Sequence, residues 1–163
     1  MQIRRLEPTD DMARAGRLVQ QSYFALDGYP HDPEFDAMLG DVAARSADTD
    51  VVVAVDGDVI VGCLTFVAAS DNAHAEHHDP EASTFRYFGV DPAMQGRGVG
   101  EAMVNWVIDE SRRLGLERIR IHTLEPMTGA QRLYARLGFE RDPAMDENWD
   151  GIVGLAYVRH LGE

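Results

Sequence analysis

The chain has 163 residues, 28 acidic against 15 basic, and so a formal net charge of −13. That length supports one sizeable core and reads as a single domain spanning 1–163, and 45% apolar with 26% charged residues is an ordinary globular mixture that excludes disorder as the main state. The acidity argues against nucleic acid and anionic membranes as partners; it reads as a solvated surface that keeps the protein soluble or, alternatively, as an acidic mouth for cationic substrates.

No window approaches the apolar length of a membrane span, and no hydrophobic run follows Met1–Leu6 as in a signal peptide, so the expected location is the cytoplasm. The lone Cys63 cannot form an internal disulfide. Ile3 to Leu6 alternates as a short strand. Asp10-Asp11 then open a helix to about Tyr23, with Met12, Ala15, Leu18, Val19 and Ser22 on one stripe. Asp27-Gly28-Tyr29-Pro30 breaks it, and Asp32-Pro33 predicts an N-cap and first turn for a second helix through about Ala47.

The β-branched runs Val51–Val55 and Val59–Val67 flank Asp56-Gly57-Asp58, which predicts an antiparallel hairpin. Ala68 to Ala82 is aperiodic and polar, a solvated loop, and Thr84 to Val90 is a further strand. A glycine-rich turn, Gln95-Gly96-Arg97-Gly98-Val99-Gly100, leads into a helix carrying Val99, Met103, Trp106, Val107 and Leu114, stopped by Gly115. Arg118 to Thr123 alternates as a strand. Thr128-Gly129-Ala130-Gln131 reads as a capping box for a helix to Leu137, Gly138 closes it, and about Gly151 to Arg159 forms a last strand. Strand, helix, strand from Thr84 to Thr123 is a crossover that pairs the two strands in parallel within a mixed sheet.

A glycine turn between a strand and a helix N-terminus aims several backbone N–H groups into one concavity, an arrangement suited to phosphate. Gly100 is followed by Glu101 rather than Lys-Ser/Thr, which excludes a Walker loop; the third glycine and Thr123 also depart from a dinucleotide fingerprint.

Val90-Asp91-Pro92-Ala93-Met94-Gln95-Gly96-Arg97-Gly98-Val99-Gly100 resembles the acetyl-CoA signature of the GNAT superfamily of N-acetyltransferases, and Ala130-Gln131-Arg132-Leu133-Tyr134-Ala135-Arg136-Leu137-Gly138-Phe139 resembles that family's later Ala-x-x-Leu-Tyr-x-x-Leu-Gly-Phe segment. The resemblance implies an α/β (α+β mixed) fold: a mostly antiparallel sheet with a central parallel pair splayed in a V and flanked by helices. It implies acetyl-CoA as cosubstrate, held at its pyrophosphate by the N–H groups of Gln95, Gly96, Arg97, Gly98, Val99 and Gly100. The pantetheine arm would pair with Phe88, Gly89 and Val90, with Gly89 suited to a bulge.

The implied reaction is direct attack of an acceptor amine on the thioester in a ternary complex. Val90 N–H is the candidate oxyanion donor and Tyr134 the candidate acid for the CoA sulfur. The strand Thr84 to Val90 lacks the family's glutamate, which leaves Glu76, His77, His78, Asp79, Glu81 or water as the base. Met127 stands where some relatives place a cofactor-contacting Asn. No metal is called for. The acceptor is a primary amine of a small molecule or protein, with neither nucleic acid nor membrane as partner, and a homodimer is compatible with this reading. The alternative is a non-catalytic acyl-CoA-binding module that senses or regulates.

Overall fold

The computed structural model describes residues 1–162. The chain divides into two compact units, one built from Met1–Phe66 and Tyr87–Trp106, the other from Val67–Arg86 and the chain from Val107 onward.

In the first unit, β1 (Gln2–Arg5) pairs antiparallel with β2 (Asp50–Asp56), from Gln2↔Val55 to Arg5↔Val52. The hairpin expected at Gly57 is present: β2 pairs antiparallel with β3 (Val59–Val67), and Gly57 takes φ +62° in the turn. Asp11 caps α1 (Met12–Phe24), accepting from Arg14 N at 3.0 Å. The predicted stripe then buries Ala15, Leu18 and Val19 against Val51, Val53, Ile60, Cys63 and Tyr87. Cys63 is fully enclosed there and burial pushes its thiol up to about 12, so it packs as a small apolar side chain.

The single helix expected through Ala47 is two helices, α2 (Pro33–Gly40) and α3 (Val42–Arg45). Asp41 leaves helical geometry (φ −89°, ψ 69°) and accepts from Ala44 N at 3.1 Å, ending one helix and capping the next. The break sits at a close backbone crossing, since a Cβ on Gly16 would lie 2.1 Å from Gly40 O. Arg45 then turns back, donating to the carbonyls of Met38 and, at 2.9 Å, Leu39 near the end of α2.

In the second unit, the first half of β4 (Ala82–Val90) runs parallel to β5 (Arg118–Leu124). Their ladder holds only Ala82↔Arg118 and Ser83↔Ile119 and then stops, as a splayed pair requires. β5 pairs antiparallel with β8 (Ile152–His160) from Arg118↔His160 to Leu124↔Gly154, which makes the sheet mixed, as expected. Two strands not anticipated, β6 (Glu140–Arg141) and β7 (Glu147–Trp149), also pair with β8.

The crossover helix α4 (Val99–Arg113) and β4 each run through both units. α5 (Thr128–Arg136) begins without the expected capping box: Met127 occupies the cap and no side chain bonds there. Gln131 instead donates to the carbonyls of Leu124 (3.3 Å) and Glu125 (2.9 Å), tying the helix to the end of β5. Gly138 takes φ +90° just after the helix, as its stop signal requires.

Candidate active site

The glycine turn lies wholly in the first unit. Its entry is clamped: Asp91 N donates to Val61 O at 2.8 Å, and the Asp91 carboxylate accepts from Arg14 of α1 at 2.5 Å and from Ala93 N at 2.9 Å. The Ala93 N–H and the Arg14 guanidinium hold the Asp91 carboxyl below the usual carboxylate range. A 3₁₀ turn, Pro92–Met94, follows, and then Gly96 and Gly98 both adopt φ +80°.

Two of the six expected donors are spent inside the turn. Gln95 N bonds to Pro92 O and Arg97 N to Met94 O, each at 3.3 Å. Among the described residues, the N–H groups of Gly96, Gly98, Val99 and Gly100 have no backbone acceptor, and the last two open the first turn of α4. A Cβ at Gly96 or Gly98 would meet nothing within 4 Å, so the concave side is open and the glycines answer to positive φ and to a close-approaching ligand. These residues fit a pyrophosphate: four N–H groups, a helix N-terminus and the exposed Arg97 share one turn.

Along β4, the strain sits at Tyr87 rather than at Gly89. Tyr87 has φ +54°, a conformation costly for a bulky aromatic residue, and its ring lies under the Arg45 guanidinium at 4.7 Å. Gly89 serves a different need, because a Cβ there would stand 2.2 Å from Leu18 O. Phe88 O accepts from Ser22 Oγ at 3.0 Å, a hydroxyl that also reaches Val19 O at 2.7 Å, so this edge is pinned to α1. Phe88 and Val90 remain half-buried on either side of Gly89.

The second unit holds the other predicted residues. Tyr134 of α5 is buried in an aromatic cluster, its ring 5.7 Å from those of Phe85 and Phe139 and 6.2 Å from that of Tyr157. The loop before β4 is not uniformly solvated. His77 is buried, its Nδ1 accepts from Asp79 N at 3.0 Å, and burial lowers its pKa, so the neutral ring has no lone pair left for a base.

Burial alone would raise the Asp79 carboxyl, but Arg120 (2.8 Å) and Arg118 (3.0 Å) bind it and hold it low. His78 and Glu81 are exposed. Glu76 is the exception: its side chain is only 10% exposed, and burial pushes its carboxyl up against the opposing pull of Arg86 and His122. It lines a pocket of about 280 Å³ with Ala75, Arg86, Glu147 and Trp149. The cue available in the sequence was only that Glu76 is one of five candidate bases in an aperiodic loop.

A parallel pair laddered over two residues, with an open glycine nest after the first strand, defines a mixed α/β fold with an anion-binding turn. The chain belongs to the acetyltransferase (GNAT) family, whose pattern it matches over residues 14–139. It is 41% identical over 71 residues to a mycothiol acetyltransferase of Geodermatophilus obscurus, covering 43% of this chain and 23% of that protein. To the mycothiol acetyltransferase of Sanguibacter keddieii it is 31% identical over 107 residues, 62% of this chain and 33% of the other. The chain thus spans a third or less of these relatives.

A GCN5-related N-acetyltransferase from Kribbella flavida superposes with a TM-score of 0.71 at 27% identity, over 98% of this chain and 97% of its own. The Salmonella typhimurium protein yncA, solved with its cofactor acetyl-CoA, superposes at 0.69 with 20% identity, over 99% and 94%, which speaks for the fold.

Proposed function

We propose that the chain transfers an acetyl group from acetyl-CoA to a primary amine by direct attack. The observation that carries this reading is the open nest at Gly96 to Gly100, which supplies unspent N–H groups where the family places the CoA pyrophosphate. Acetyl-CoA supplies the activated acyl group. The substrate in the relatives' name is not carried over, because their match spans a third or less of those proteins.

In this reading Phe88 to Val90 present a fixed edge to the pantetheine arm, with Gly89 letting α1 close on the strand. Val90 N–H donates to the oxyanion formed when the amine nitrogen bonds the thioester carbon. The C–S bond then breaks and Tyr134 delivers a proton to the departing sulfur. Glu76, the one loop carboxylate withdrawn from water and not consumed by arginine hydrogen bonds, accepts the proton of the ammonium. No metal enters this scheme, and the domain stands as a single N-acetyltransferase domain.

The test is CoA release from acetyl-CoA with a panel of primary amines, together with the mass of the product. An amine-dependent gain of 42 mass units, the size of an acetyl group (about 42 by elementary composition), is the expected result. A chain that binds acetyl-CoA yet turns over with none of the panel would instead be a sensing or regulatory module.

A further inference from the structure

Three points along α1 meet the end of β4 and the entrance of the glycine turn, all within the first unit. Ser22 Oγ donates to Phe88 O at 3.0 Å, the Leu18 carbonyl stands where only a glycine at 89 leaves room, and Arg14 bonds the Asp91 carboxylate. Residues 14, 18 and 22 are four apart in one helix, so they share a stripe, and they meet residues 91, 89 and 88 in that order. α1 therefore runs antiparallel along this edge.

Arg14 is the charged member of the stripe. Its backbone N–H bonds the capping Asp11 at 3.0 Å, its Nε donates to Ile60 O of β3 at 3.0 Å, and its Nη2 reaches Asp91 Oδ2 at 2.5 Å. Asp91 N donates to Val61 O, the next residue of β3, at 2.8 Å. One guanidinium thus ties helix, strand and turn entrance together.

Asp91 passes that restraint forward. Its Oδ1 accepts from Ala93 N at 2.9 Å and its backbone oxygen from Met94 N at 2.8 Å, which fixes the 3₁₀ turn Pro92–Met94. Gly96 and Gly98, both at φ +80°, follow directly and aim the N–H groups of the nest. Charge matters here as well as geometry. An unpaired carboxylate at the entrance of an anion nest repels the phosphate the nest should admit, and an adjoining guanidinium cancels most of that field.

We propose that Arg14 is a positioning residue for the cosubstrate: it holds and neutralises Asp91, and through Asp91 sets the aim and the anion affinity of the Gly96, Gly98, Val99 and Gly100 N–H groups. The proposal rests on the reading that acetyl-CoA binds at this nest, and adds to it a residue of α1 that makes the nest receptive.

The experiment titrates acetyl-CoA calorimetrically into the wild-type chain, Arg14→Gln, Arg14→Lys and the double variant Arg14→Gln/Asp91→Asn, with folding checked by circular dichroism. Arg14→Gln strands the carboxylate and should weaken binding about tenfold or more, the worth of one hydrogen bond between charged groups. Arg14→Lys keeps a cation beside Asp91 and should recover part of the loss. The double variant removes the stranded charge while Asn retains an oxygen for Ala93 N, so it should bind more tightly than Arg14→Gln alone. In turnover, KM for acetyl-CoA should rise in Arg14→Gln with kcat little changed.

In the ligand-free chain, the Gly96 and Gly98 amide signals in ¹⁵N-¹H NMR should shift in Arg14→Lys, the mildest variant. Signals coincident with wild type overturn the proposal. So does a folded Arg14→Gln chain within about twofold of wild-type affinity, or a double variant no tighter than Arg14→Gln, which assigns the loss to damaged packing. Any of these results in a chain whose wild type binds acetyl-CoA defeats the role of Arg14 alone; a wild type that binds no acetyl-CoA defeats the transferase reading and this proposal with it.

Discussion

The Arg45 guanidinium lies 4.7 Å from the ring centre of Tyr87, the residue at which β4 turns to φ +54°. The same guanidinium donates to the carbonyls of Met38 and Leu39, so one buried cation closes the end of α2 and holds the strained strand. Burial lowers the Arg45 pKa, but a guanidinium keeps its charge through the physiological range.

Arg45→Met keeps much of the side-chain volume and orphans the Leu39 carbonyl, while Met38 O keeps the bond from Asp41 N at 3.1 Å. Each buried acceptor left unsatisfied costs about 1–3 kcal/mol, so thermal unfolding should show a marked loss of stability. A melting curve superimposable on wild type would deny Arg45 this structural part.

Gly89→Ala should destabilise the chain by about 1–3 kcal/mol or more, because its Cβ would stand 2.2 Å from Leu18 O and α1 must retreat. Denaturant unfolding measures this directly. A neutral effect would show that α1 and β4 are not in this close register.

Glu76 ties function to a stability cost. Its carboxyl titrates higher in the folded chain than unfolded, so folding is unpenalised below the unfolded value, where both states are protonated. As pH rises from the unfolded value to the raised folded one, the unfolded chain ionises while the folded chain keeps its proton, so stability falls, and the full penalty is in place above the folded value. Glu76→Gln should therefore raise Tm at pH 7 and change it little at acid pH, while activity drops. A lower Tm at pH 7 would make Glu76 a structural ion-pair partner of Arg86 instead.

Tyr134→Phe retains the ring that packs on Phe85, Phe139 and Tyr157, so stability should hold. Loss of a positioned acid should cut the single-turnover rate about 10²–10⁴-fold with acetyl-CoA affinity intact. An unaltered chemical rate would confine Tyr134 to packing.

Where local chemistry and tertiary packing agree, the sequence was legible. Asp-Gly between β-branched runs, Asp11 before an amphipathic stripe, and Gly96 and Gly98 between strand and helix all appear as expected, and both glycines of the turn adopt positive φ. What was hidden depends on neighbours distant in the chain. The break at Asp41 follows from the approach of Gly16 and Gly40, and the strain at Tyr87 falls on a residue whose type does not announce it. β6 and β7 are two and three residues long, too short for periodicity. Glu76 sits in an aperiodic polar loop, and only the fold reveals that β4, β5 and β7 enclose it.

The most direct measurement is calorimetric titration of acetyl-CoA into the wild-type chain and into Gly98→Asp. Asp tolerates positive φ better than most residues, and a Cβ at Gly98 meets no protein atom within 4 Å, so the variant should fold. Its carboxylate would occupy the concavity meant for phosphate. Saturable wild-type binding that Gly98→Asp abolishes, with circular dichroism unchanged, is the predicted result; equal acetyl-CoA affinity in a folded Gly98→Asp chain would contradict cosubstrate binding at the glycine turn.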